Sequence, residues 1–108
     1  MNIYMWDKPE RPTEAEVKQQ VRDSGLEAMR WTGDAHQHWN GHHHSREKTL
    51  WCAAGDITFY VDDKPVHLQA GDKMVLPPET IHTADAGANG VVCYESPPVH
   101  DNTSTYID

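Results

Sequence analysis

Polar and apolar positions along this chain follow two periods, and the change between them falls near residue 25. Pro9 and Pro12 punctuate the opening. Thr13-Glu14-Ala15-Glu16 then has the form of a capping box, with Thr13 as the cap and Glu16 three residues later closing the reciprocal bond. The spacing predicts a helix that runs to Ser24 and stops at Gly25, with Val17 and Val21 forming an i, i+4 apolar stripe. So narrow a stripe suits a helix laid on a larger body.

From Leu26 onward the period becomes that of strands. The segments 26–31, 49–54, 57–61, 66–68, 74–76, 80–84 and 91–95 read as short β-strands. Gly55-Asp56, Asp62 to Pro65, Gly71-Asp72 and Ala86 to Gly90 read as the turns between them. Alternation places Ile57, Phe59 and Val61 on a core face and Thr58, Tyr60 and Asp62 on the other. Many short strands at close spacing predict an all-β sandwich or barrel. We divide the chain into an N-terminal extension with its helix (1–25), the β body (26–96) and an aperiodic polar tail (97–108), loose or laid across a neighbour.

At 108 residues the chain makes one domain with a thin stability margin, which a partner subunit would improve. A net charge of −8 argues against a nucleic-acid surface, which needs a basic stripe, and disfavours acidic phosphates as substrates. No apolar run approaches the ~20 residues of a membrane span, and the N-terminus has no leader pattern, so neither membrane nor export is expected. Cys52 and Cys93 each sit in an apolar run and form no Cys-x-x-Cys pair. That predicts a reduced, cytoplasmic chain with buried thiols, a Cys52–Cys93 disulfide being the minor alternative.

The candidate chemistry lies in the histidines. The run His42-His43-His44 is internal, between Trp39-Asn40-Gly41 and Ser45-Arg46-Glu47, so it does not read as a purification tag. By itself it could equally be a solvated loop. Residues two apart on a strand share a face, so one strand would present His42 and His44 together, and a second would add His82. Three imidazoles facing one point suit Fe, Mn, Ni, Cu or Zn. His36 and His38 read as a strand or loop near the mouth, and His67 and His100 as surface residues. Trp31, Trp39, Trp51 and Tyr94 could line a mouth, pack under the helix or fill a subunit interface.

His42-His43-His44 leading to Gly55, followed by Gly71-Asp72, Pro77-Pro78-Glu79 and His82, resembles the two motifs of the cupin superfamily over roughly residues 39–94. The resemblance implies an antiparallel cupin-type β-barrel (jelly roll) with a short N-terminal helix outside it, a homodimer, and a metal site of His42, His44 and His82. Three positions depart from the pattern. Lys48 stands where the family has its Glu ligand, Glu79 replaces the Gly of the Pro-x-Gly turn, and His36 replaces the Gly six residues before His42. The turn substitution is expected to cost little.

Slipping the strand by one residue would bring Glu47 inward instead of Lys48, but it would also invert every neighbour and turn Leu50 and Cys52 outward. We therefore place Lys48 inside. An ammonium beside a divalent ion is unfavourable. That leaves Lys48 three fates: a deprotonated base or Schiff-base nucleophile, a charged grip on a ligand carboxylate, or a stem packed inside with its head snorkelling to water. The leading expectation is a metal-dependent enzyme, dioxygenase-like or an isomerase or lyase, acting on a small organic molecule with Lys48 as catalytic residue. The alternatives are a non-catalytic binder of an anionic ligand such as a sugar acid, and a barrel whose site has degenerated.

Overall fold

Thr13 caps the helix α1 (Glu14–Asp23) as the sequence predicts: its Oγ1 accepts from the Glu16 N–H, and Glu16 returns the bond to the Thr13 N–H. Ser24 ends the helix and Gly25 follows at φ 74°, a left-handed conformation that costs glycine little. Val17 and Val21 are its buried residues. The computed structural model describes residues 1–98 with the exception of the His42 side chain. The readings made for His100 and for the tail beyond residue 98 fall outside the described residues.

Seven antiparallel strands form the body: β1 (Asn2–Tyr4), β2 (Met29–Gly33), β3 (His38–His42), β4 (Lys48–Val61), β5 (Lys64–Gln69), β6 (Lys73–Leu76) and β7 (His82–Ser96). β4 and β7 pair along their length and serve two layers. Their Lys48 and Ser96 ends carry β6, β1 and β2, while their Val61 and His82 ends carry β5 and β3. Side chains from both layers meet in one core that includes Leu50, Met74, Leu76 and Cys93 from the first and Trp39, Ile57, Phe59 and Leu68 from the second. This is the all-β jelly roll with one short helix that the sequence predicts.

Several strand boundaries differ from expectation, and β1 and β3 lie outside the expected set. Segments 49–54 and 57–61 are one strand, because Gly55-Asp56 is a bulge and not a turn. Register is lost there, and Gly55 adopts φ 68° where an added Cβ would lie 2.1 Å from the Gly90 carbonyl oxygen. The bulge flips the phase of β4, so Lys48, Leu50 and Cys52 face inward before it and Ile57, Phe59 and Val61 after it. Segments 80–84 and 91–95 likewise merge into β7, with residues 87–90 bulging from the ladder with β4. β2 starts at Met29, leaving Leu26 exposed, and β7 starts at His82. The turn between β4 and β5 is shorter than the expected Asp62 to Pro65: Lys64 and Pro65 already pair with Val61 and Tyr60, and Asp62 and Asp63 alone turn the chain, both at positive φ as a two-residue hairpin requires.

Helix α1 covers the outer face of the first layer. Val17 and Val21 pack with Trp51, Ala53 and Tyr94, the residues of β4 and β7 in the phase opposite to the core. Glu14 fixes the helix laterally: its Oε2 accepts from Arg30 Nε at 2.6 Å and from the Tyr94 hydroxyl at 2.8 Å. These contacts place Trp51 and Tyr94 under the helix and Trp39 in the core, with Trp31 against it at 5.2 Å between ring centroids. Before the helix, β1 joins the edge of β6, and buried Asp72 accepts from the Trp6 N–H and from Arg11.

Candidate functional site

Lys48 opens β4 in phase with Leu50 and Cys52, and Glu95 lies near the end of β7 in phase with Val91 and Cys93. Both therefore enter the interior, and they meet there. Lys48 Nζ donates to Glu95 Oε2 at 3.0 Å and to the Pro97 carbonyl at 2.9 Å. Trp31 Nε1 donates to the other carboxylate oxygen at 3.1 Å. The side chains of Lys48 and Glu95 are only 4% and 1% exposed. Either charge alone would be costly at such burial; together they are neutral and hydrogen-bonded. The Lys48 head does not reach water, and the carboxylate it grips belongs to its own chain. Sequence reasoning missed Glu95, although the alternation Val91, Cys93, Glu95 carries the signal.

His44 reaches the interior by a different route from the one expected. β3 ends at His42, and His43 and His44 lie in the loop that leads to β4, so the same-face argument for His42 and His44 does not apply. The loop nevertheless buries His44, and β7 buries His82 at its first residue, in phase with Ala84 and Ala86 of the core. Their ring centroids are 5.6 Å apart, with an interplanar angle of 61°. Phe59 stands 6.3 Å from the His82 ring. The two loops that deliver these imidazoles are joined by a 2.7 Å bond from the Glu79 N–H to the His44 carbonyl.

Each imidazole is oriented by a main-chain carbonyl. His44 Nδ1 bonds to the Arg46 carbonyl, and His82 Nδ1 to the Thr80 carbonyl at 3.1 Å. In a neutral ring, an Nδ1–H used this way puts the lone pair on Nε2, the arrangement typical of metal-bound histidine. The His42 backbone is the register partner of His82, which brings β3 beside the pair. Among the described residues, no group of three or more His, Cys, Asp or Glu could hold a metal ion. The donor chemistry of His44 and His82 suits such an ion, and the interior ammonium of Lys48 has its charge offset by Glu95.

The two motif glycines that this chain lacks leave their conformation behind. His36 sits at φ 59° and Glu79 at φ 63°, both left-handed. Spacing survives because the backbone still turns as glycine would, at a cost of about 1 kcal/mol or more for each side chain held there. Glu79 thus carries more strain than expected, and its carboxylate lies 3.4 Å from His43 Nε2. Of the remaining histidines, His38 opens β3 and bonds Asp85 at 2.7 Å, and His67 bonds Asp56 at 2.8 Å, both partly exposed. Cys52 and Cys93 are register partners, free and buried, and burial pushes the Cys93 thiol well above its ordinary value.

The sequence profile of the cupin domain matches residues 29–93. Among solved structures, the chain is similar to an RmlC-like cupin from Shewanella frigidimarina at 24% identity and a TM-score of 0.59, over 65% of this chain and 62% of that one. That match spans less than two thirds of the Shewanella protein. It is similar to a cupin superfamily protein from Desulfitobacterium hafniense at 12% identity and 0.59, over 87% and 72%. A third similarity is to KdgF from a Halomonas species, at 25% identity and 0.57 over 68% and 70%. No curated protein matches in sequence.

Proposed function

Since the chain belongs to the cupin domain family, we propose that its interior is a small-molecule site in which the imidazoles of His42, His44 and His82 hold a divalent transition metal, and that the protein is an enzyme acting on a small organic molecule. The observation that carries this reading is the carbonyl anchoring of Nδ1 in both His44 and His82. Two buried rings so oriented present neutral Nε2 donors, which a late first-row ion prefers. Fe, Mn, Ni, Cu or Zn would supply Lewis-acid or redox chemistry there, dioxygenase-like or of the isomerase or lyase type. The chain's own contribution is to orient the imidazoles, to exclude water with Phe59, Leu76 and their neighbours, and to keep the Lys48–Glu95 pair fixed near the ends of β4 and β7.

A second reading, binding without turnover, is favoured by the Lys48–Glu95 pair itself: Lys48 Nζ is already engaged by Glu95 and the Pro97 carbonyl. For the chain as a whole, two buried free thiols suit a reduced cytoplasm, and the exposed Ile3, Tyr4 and Met5 at edge strand β1 suit contact with a second copy in a homodimer. No described helix is long and apolar enough to cross a membrane.

Metal content of the tag-free protein, measured by mass spectrometry beside His44→Ala and His82→Ala variants, tests the proposal. Close to one equivalent of a transition metal, lost in both variants, is the expected result. A parent that holds no metal even after loading with Fe, Mn, Ni, Cu or Zn would overturn it. Oxygen uptake and substrate screening on the loaded protein then separate enzyme from binder.

A further inference from the structure

The Lys48 ammonium has three N–H donors, and within the described residues it uses two, on Glu95 Oε2 and the Pro97 carbonyl. Its side chain is almost wholly buried, so the third donor has little access to bulk water. A buried polar group left without a partner is costly, which favours an acceptor brought in by a bound molecule or an ordered water. The charge of that acceptor is governed by Glu95. At 3.0 Å it neutralises the ammonium, and Trp31 Nε1 holds the carboxylate in place from its other oxygen.

We infer that Glu95 is a positioning residue that sets the charge preference of the site: it pins Lys48 as a donor to an uncharged ligand oxygen, a carbonyl or a hydroxyl, and withholds the counter-ion that a carboxylate ligand would seek. The inference deepens the proposed small-molecule site by naming the ligand class. It rests on that reading only in supposing that a ligand enters the interior. A carboxylate placed against the third donor would sit close to Glu95 and be repelled by it, whereas an amide or alcohol oxygen would accept the bond with little penalty. Ligand discrimination would then come from a residue that need not touch the ligand.

The test compares two isosteric probes, lactamide and lactate, by isothermal titration against the protein as purified, Glu95→Gln, and the double variant Lys48→Met/Glu95→Gln. Removing the Glu95 charge should raise the ratio of lactate to lactamide affinity by roughly fivefold, since a hydrogen bond to a charged group exceeds a neutral one by about 1 kcal/mol. The double variant should return that ratio to the parent's and weaken lactamide binding several-fold. An unchanged ratio in Glu95→Gln would overturn the inference, as would lactamide affinity that is indifferent to the double substitution. Failure of the parent to bind either probe would do the same. Should Glu95→Gln fail to fold, the double variant, which leaves no lone buried charge, still decides through lactamide. Metal content of the same samples reports on the histidine site separately, so the loss of one reading is distinguishable from the loss of the other.

Discussion

A single buried ion pair explains why Lys48 can replace a carboxylate in the interior without disrupting it. Lys48 and Glu95 are 47 positions apart and become neighbours only because β4 and β7 run antiparallel with both inward phases aligned. Truncating one member leaves the other charge uncompensated, so Lys48→Met alone should lose about 3–5 kcal/mol of stability. Lys48→Met/Glu95→Gln should recover much of that loss, because it removes both charges. Urea unfolding of the parent, both single variants and the double variant measures the coupling, and additive effects would refute it. At this scale the sequence revealed the residue types of the site but not their partners. The burial of Lys48 and His82 was legible from strand phase, and that of His44 from motif spacing alone. The pairing of Glu95 with Lys48 and Trp31 was not, because no local pattern links residues 31, 48 and 95. The loop route of His44 escaped as well, since a His-x-His reads alike on a strand or beyond its end.

Glu14 shows how helix α1 depends on the sheet, which it reaches through Arg30 and Tyr94. Hydrogen bonds from Arg30 first, and then Tyr94, hold the Glu14 carboxyl below the usual glutamate range. Burial, with the same bond, pushes the Tyr94 hydroxyl up. A carboxyl with a depressed folded pKa stabilises the protein fully above its unfolded value, about 4.3, and that stabilisation is lost as pH falls through the depressed value. Stability should therefore fall below about pH 4.3 partly through undocking of the helix. Arg30→Gln, which removes the largest cause of the shift, should lower stability at neutral and alkaline pH, where the pair is ionised, and meet the parent at low pH, so that the fall is flatter. Urea midpoints between pH 6 and pH 3 check this, and an identical acid limb in parent and variant would contradict it. The helix itself was legible to the residue because cap, box and stop are local signals. The merging of strands across Gly55 and across residues 87–90 was not. Glycine at positive φ serves turn and bulge alike, and only the partner strand decides which forms.

For the whole molecule, the phase flip at the β4 bulge has the largest consequence. It lets one strand present Leu50 and Cys52 in the first layer and Ile57, Phe59 and Val61 in the second, all towards the same core. Fold class was readable because repeated turn punctuation and two spaced motifs survive substitution. Even the lost motif glycines keep their backbone turn, in His36 and Glu79. The connectivity of the layers was not readable, because it depends on bulges that conserve alternation on each side while inverting it across. A core shared by both layers should open as a unit, and Cys52 and Cys93 report on that opening. They face each other in register on the two strands common to both layers, essentially without exposure. Thiolate formation is suppressed by burial at Cys93, and the thiolate is the reacting form. Native protein should therefore react with a disulfide reagent such as dithionitrobenzoate only as fast as it unfolds globally, and both thiols should react together. The same treatment in urea should titrate both at once. Rapid modification of one thiol in native buffer would mean that one layer opens without the other, and that the single-core description fails at the bulge.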